Sequence, residues 1–292
     1  MSDQLERFIF SEHDIRGQLV TLSRSYREVL EHNDLPQPVQ KLLGEFLAAA
    51  CLLSTTLKFE GILMLQARGE GDVPLLVAEC THHSDVRGLA RVAEGAEIKE
   101  GATLRELVGN RGALVITVDP QDGERYQGIV PLEKDTLAGC LEDYFTQSEQ
   151  LQTRFWIESS ADTVGGIMLQ VLPGNNAASQ EENEEAWETA VHLAATVTPE
   201  ELHNLPHDQL LVRLFHELAP ATLGTANIRF KCSCSPDRSA RALIAMGPED
   251  VYQLLEEQGG EITADCQFCN RQYRFDREKI ETLFNAPPHT LH

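Results

Sequence analysis

Four cysteines set the tightest limit on how this chain can fold. Cys232 and Cys234 stand one residue apart in 230-FKCSCSPDRS-239, and Cys266 and Cys269 form a CxxC in 264-ADCQFCNRQY-273. Between Cys234 and Cys266 lie 31 residues. Sulfur pairs this close can each supply two corners of a tetrahedral zinc site, with sulfur about 2.3 Å from the metal. A CxC and a CxxC with two helices between them therefore predict one zinc held by four cysteines, the alternative being four unligated thiols. With sulfur at every corner no position is left for a catalytic water, so zinc-dependent hydrolysis is not expected.

The segment around these cysteines is small. Ser235 and Pro236 read as N-cap and first position of a helix to about Met246, Pro248 opens a second helix ending at Gly259-Gly260, and 261-EITADCQFCNRQYRF-275 reads as a hairpin with the CxxC at its turn. Residues 276–284 give a last helix. A module with so few large apolar residues is marginal without a staple, and zinc binding is worth on the order of 10–16 kcal/mol of apparent folding free energy. Each half is also a dithiol close enough to oxidise on itself, through a tight and readily reduced CxC ring in one case. Arg229, Lys231, Arg271 and Arg274 are near enough in sequence to stabilise thiolates. The residues thus allow a plain structural zinc domain or a reversible switch in which oxidation expels the metal. A thioredoxin-type use of Cys266 and Cys269 would need a strand-to-helix junction, whereas a hairpin turn is expected there.

The rest of the chain reads as α+β. In 37-QPVQKLLGEFLAAACLLSTTLKF-59 apolar residues recur at helical spacing with only a narrow polar face, predicting a buried central helix. The runs 61–69, 74–80, 112–120 and 125–132 predict strands of one or two sheets. A helix over 135–151 with Asp135 as N-cap is expected to precede a strand pair at 153–159 and 165–173. Between Arg154 and Arg213 there is no Lys or Arg but there are ten Asp or Glu. Within that stretch, Trp187, Val191 and Ala194 or Ala195 suggest a thin apolar stripe, 198-TPEE-201 is a capping box, and Pro206 separates it from a helix over 208–218. The expected organisation is a core domain over 1–177, an acidic helical segment over 178–229 and a zinc-binding domain over 230–292. Residues 178–229 could be a solvated connector, or a segment stable enough to dock and poised to melt.

Charge removes other classes of function. A formal net charge of -22 repels phosphate backbones and anionic membranes, so neither nucleic acid nor membrane is an expected partner. No signal-peptide pattern and no long apolar run is present, and an odd count of seven cysteines argues against a secreted disulfide framework. Cys51, Cys80 and Cys140 stand singly in apolar segments as small buried hydrophobes, and a reducing cytoplasm fits best. His203 and His207 are separated by Pro206, which argues against a shared metal, and His82, His83, His289 and His292 read as surface residues. No nucleophile, base and orienter combine into a defensible enzyme site.

At 231-KCSCS-235, 265-DCQFCN-270, 123-GERYQGIV-130 and 135-DTLAGCLEDYFTQSEQL-151, the sequence resembles the redox-regulated 33 kDa heat-shock holdase chaperones of bacteria, along essentially its whole length. The resemblance implies a non-enzymatic, ATP-independent chaperone that is inactive when reduced and zinc-bound. It implies that oxidants join Cys232 with Cys234 and Cys266 with Cys269, that the zinc domain and linker then unfold, and that the protein dimerises through its N-terminal domain. Unfolded client proteins would be held until ATP-dependent chaperones refold them. A zinc-containing thiol-disulfide oxidoreductase or a constitutive interaction module is the alternative.

Overall fold

An antiparallel hairpin, β1 (Gln4–Phe10) and β2 (Ile15–Leu22), leads through α1 (Arg24–Leu30) into α2 (Gln37–Ser54). The meander β3 (Gly61–Arg68), β4 (Leu75–Thr81) and β5 (Asp85–Arg91) comes next, then α3 (Leu104–Val108), β6 (Ala113–Pro120) and β7 (Tyr126–Pro131). Helix α4 (Leu137–Tyr144) precedes the hairpin of β8 (Thr153–Ser159) and β9 (Val164–Val171). Three helices follow, α5 (Gln180–Ala194), α6 (Pro199–Asn204) and α7 (His207–Phe215), and then strands β10 (Pro220–Asn227) and β11 (Arg229–Phe230). The C-terminal part holds α8 (Pro236–Met246), α9 (Pro248–Glu257), the hairpin β12 (Glu261–Asp265) and β13 (Gln272–Asp276), and α10 (Arg277–Asn285). This computed structural model describes residues 3–55, 60–174 and 179–285, and the chain divides into two compact units, Met1–Lys231 and Cys232–His292.

The first unit has two sheets. One runs β10-β1-β2-β9-β8, the other β11-β5-β4-β3-β6-β7. Helix α2 packs on β2, β8 and β9 of the first and on β3, β4 and β5 of the second. Of its 18 residues 12 are buried, as expected of a helix apolar on nearly every face. The opposite face of the five-stranded sheet carries Phe8, Phe10, Ile15, Leu19, Ile167 and Leu169, and helices α5, α6 and α7 cover it. The approach is close: a Cβ on Gly165 of β9 would come within 2.6 Å of the Leu202 carbonyl in α6.

Several local expectations change. The central helix ends at Ser54, and residues 56–59, with Leu57, lie outside the described residues. Thr136, not Asp135, caps α4: its Oγ1 accepts the Gly139 N–H at 3.2 Å, while the Asp135 carbonyl accepts Leu104 N–H. The expected single helix to 151 instead widens into a π-turn over Phe145–Glu149, closed by Gln150 at φ 55°. The buried stripe of α5 is Ala186, Ala190 and Ala194, with Trp187 half-buried beside it. Small residues face the sheet because the sheet supplies the bulk. The capping box at Thr198 is present, its Oγ1 accepting Glu201 N–H at 3.2 Å while Glu201 accepts Thr198 N–H at 2.9 Å. Strand β10, which the sequence pattern does not announce, pairs antiparallel with β1.

Taken by itself, the second unit has among the described residues a core of seven buried residues: Ala240, Leu243, Val251, Leu255, Ile262, Phe275 and Ile280. Among the described residues no helix is long and apolar enough to cross a membrane.

Candidate metal centre

Cys232 and Cys234 lie in the extended lead to α8, whose N-cap Ser235 accepts the Arg238 N–H at 3.2 Å. Capping fixes the chain immediately after Cys234 and so fixes where that sulfur points. Cys266 and Cys269 occupy the turn between β12 and β13. The Cys266 carbonyl accepts N–H groups from Cys269 at 3.3 Å and Asn270 at 2.7 Å, and Asn270 takes the left-handed φ of 55° that closes the turn. The hairpin expected around the CxxC is therefore present.

These two local structures bring all four sulfurs within 4.8 Å of one another. Cys232 Sγ is 3.6 Å from Cys266 Sγ, and Cys234 Sγ is 3.4 Å from Cys269 Sγ. Four sulfurs bound tetrahedrally to zinc stand about 3.8 Å apart. The separations and the all-thiol donor set fit such an ion, and all four residues are half-buried.

Tyr273 completes the site and was not foreseen from the sequence: its hydroxyl donates to Cys234 Sγ at 3.0 Å. Its only signal is position, four residues beyond Cys269 on the return strand. Burial opposes ionisation of Cys234, but hydrogen bonds led by that of Tyr273 outweigh it and bring the thiol down to about 7. Burial and bonds to the other sulfurs push the Cys269 thiol up to about 12. Of the four nearby cations expected to assist, only Arg271 faces the sulfurs of Cys234 and Cys269. Arg274 pairs with Glu261 at 3.6 Å. Arg229 and Lys231 belong to the first unit, where both clamp the buried carboxylate of Asp85, at 2.5 Å and 2.9 Å.

Among the described residues the histidines do not form a second metal group. His203 is exposed and its Nε2 lies 3.0 Å from the Glu158 carbonyl, whereas His207 is buried with Nε2 2.9 Å from Thr21 Oγ1. His82, expected at the surface, is half-buried and its Nδ1 accepts the Gly61 N–H at 3.0 Å. His83 is exposed, and His289 and His292 lie outside the described residues.

A crystal structure of a 33 kDa chaperonin from Thermotoga maritima matches with a TM-score of 0.79 over 97% of this chain and 98% of that one, at 23% identity, and so has the same fold. Fold and site together define a two-unit α+β protein with a four-cysteine cluster in its small C-terminal unit. The Hsp33 protein family model matches residues 3–276, and the chain belongs to that family. It is 46% identical over 296 residues to a 33 kDa chaperonin of Pseudomonas fluorescens, covering 100% of this chain and 98% of that protein. To a 33 kDa chaperonin of Hahella chejuensis it is 48% identical over 291 residues, covering 100% and 99%.

Proposed function

We propose that this chain is a zinc-dependent, ATP-independent holdase chaperone, silent while reduced and switched on by oxidation. The observation that carries this reading is the clustering of four thiols in a unit whose core numbers only seven buried residues. Zinc, when bound, keeps the four sulfurs as thiolates and supplies folding free energy that so small a core lacks. Cys232, Cys234, Cys266 and Cys269 are its ligands. An oxidant such as peroxide or hypochlorite takes two electrons from each dithiol, joining Cys232 with Cys234 and Cys266 with Cys269. Disulfide sulfur is no longer a thiolate donor, so the staple is lost and the second unit unfolds.

The first unit supplies a client surface. Residues 178–229 act as a metastable linker: when α5, α6 and α7 lift, the face of Phe8, Phe10, Ile15, Leu19, Ile167 and Leu169 becomes available to unfolded clients. Eight of the ten carboxylates between Arg154 and Arg213 lie in this segment, and they keep the opened state in solution. The oxidised chain dimerises through residues 1–177, performs no catalysis, and passes clients to ATP-dependent refolding chaperones in the cytoplasm.

The test combines zinc release, free-thiol count and light scattering of a thermally unfolding client, before and after oxidant. The expected result is zinc release with four thiols lost and aggregation suppressed. Zinc retained, or released without client holding, overturns the proposal. Repeated dithiol exchange with the fold intact would mark an oxidoreductase instead.

A further inference from the structure

Two of the three cysteines that look solitary in the sequence are neighbours in the fold. Cys51 lies in the last two turns of α2 and Cys80 near the end of β4, elements that pack directly on each other. Both are 1% exposed, and both belong to the main core between the sheets. The two thiols hydrogen-bond to each other. Ser54, one helical turn beyond Cys51, donates its hydroxyl to the Cys51 carbonyl at 2.8 Å and also bonds the Cys80 thiol. Two residues on one face of α2 therefore converge on the Cys80 sulfur. Cys80 is held from the other side by its register opposite Leu63 on β3 and Val86 on β5. Cys140 is equally buried, but its Sγ is directed to the Lys134 carbonyl at 3.7 Å.

We propose that Cys51 and Cys80 form a second redox site, which hydrogen peroxide oxidises to a disulfide joining α2 to β4 inside the core. Either thiol can take the first oxidation and the other resolve it, an arrangement suited to capture of a sulfenic acid before it oxidises further. One thiol attacks one peroxide oxygen, the O–O bond breaks, and water leaves with the thiol proton. The other thiol then displaces the sulfenic hydroxyl as a second water. In total two S–H bonds and one O–O bond are lost, one S–S bond forms, and two electrons pass from sulfur to peroxide. Peroxide is uncharged and little larger than water, so it can reach a core that excludes a bulky disulfide such as oxidised glutathione.

Such a crosslink would act opposite to the pairs of the metal centre. Oxidation there removes a staple, whereas here it adds one, bracing the unit that must stay folded while α5, α6 and α7 open. The chemistry does not depend on the metal-centre reading, because it is scored on different peptides. The full-length, zinc-loaded chain is treated with hydrogen peroxide at elevated temperature, denatured, labelled with N-ethylmaleimide and digested with trypsin. The expected result is a reducible species linking peptide 42–58, which carries Cys51, to peptide 69–87, which carries Cys80, with Cys140 labelled. Cys140→Ala should leave the link intact. Cys80→Ala should abolish it and leave Cys51 labelled. Should Cys80→Ala fail to fold, the same reaction with oxidised glutathione in place of peroxide gives the second comparison, and no link is expected from it. Label on both Cys51 and Cys80 after peroxide treatment, their separate overoxidation, or scrambled links to Cys140 would overturn the proposal.

Discussion

The two faces of the five-stranded sheet are covered in opposite ways. On one face α2 buries 12 of 18 residues, and a second sheet closes over it. On the other, α5 buries 3 of 15, all alanines, and the helices rely on Leu202, Leu210, Leu211, Leu214 and Phe215 to grip the sheet. Phe215 packs on Phe8 and Phe10 with ring centroids 5.7 and 5.3 Å away. Apolar burial contributes about 25 cal/mol per Å², so the α2 side is core while the other side is a cover held by a few large residues. On the proposed function, the layer on this second face is the one that lifts away. What decides is how many residues the covering layer commits and whether that layer can survive in water without it.

Metal removal gives the largest effect and sharpens the contrast further. Chelation should withdraw on the order of 10 kcal/mol of apparent folding free energy from the second unit, which has seven buried residues to fall back on. Hydrogen exchange should show amides of α8, α9 and the β12–β13 hairpin losing protection while those of α2 and β9 keep theirs. Uniform loss across both units would break the distinction.

Paired truncations test the two faces directly. Phe46→Ala, at a fully buried position of α2, should cost about 3–5 kcal/mol and lower the stability of the whole first unit. Leu214→Ala, 1% exposed in α7, should cost about 2–5 kcal/mol but act locally. In the reduced protein, exchange in α5, α6 and α7 should accelerate while α2 remains protected, and client aggregation should be suppressed without oxidant. If α2 and α7 exchange together in both variants, the cover is part of one cooperative core.

Sequence patterns caught one of these faces and half of the other. Eight of the twelve buried positions in α2 (Val39, Leu42, Leu43, Phe46, Leu47, Ala50, Cys51 and Leu53) announce themselves because helical periodicity and residue identity agree, whereas Gly44, Ala48, Ala49 and Leu52 are buried because the helix is covered on nearly every side. The same rule placed the stripe of α5 only in part: Ala194 is buried and Trp187 packs half-buried beside it, but the fully buried positions on the sheet already filled by Phe8 and Phe10 are the small Ala186, Ala190 and Ala194. Complementarity of that kind is a property of two elements and is invisible in either alone. Strand β10, PATLGTAN, has little strand character and exists through pairing with β1. At the candidate site, local spacing marked the cysteines, and the fold brings them together. Tyr273 and the diversion of Arg229 and Lys231 to Asp85 depend on contacts that spacing does not encode.

Acid should loosen the cover by a smaller amount. His207 in α7 is buried with Nδ1 lacking a hydrogen-bond partner, and burial, opposed by Asp208, lowers its pKa to about 4. Glu6 on β1 stands 3.6 Å from that nitrogen, with Thr222 on β10 donating to it at 2.9 Å. Because the folded value lies below the unfolded one, the undocked state takes up the proton first. Stability conferred by neutral His207 is complete above about pH 6.5 and is lost as pH falls towards 4. Between pH 7 and pH 5 the loss should be about 2 kcal/mol. Faster exchange of α7 at pH 5, absent in His207→Phe, is the expected observation. Slower exchange would mean that Glu6 captures the proton as an ion pair, which Glu6→Gln would abolish.

The smallest effect concerns how the cover is held together. Glu201 serves the capping box of α6 and also accepts Arg213 of α7 at 2.8 Å, while Arg213 Nη1 donates to Thr196 Oγ1 at 3.2 Å. In a stretch without another Lys or Arg back to Arg154, this cation ties two short helices to one cap. Thr198→Ala removes the cap acceptor and should cost about 1 kcal/mol, read as a lower denaturant midpoint for loss of α5–α7 protection. Arg213→Gln costs less if the pair acts as an ordinary surface bridge, whose worth is about 0–1 kcal/mol. The informative quantity is the double variant. Additive losses would make cap and bridge independent, whereas a double loss no greater than that of Thr198→Ala alone would show that Arg213 acts only through a Glu201 already positioned by the cap.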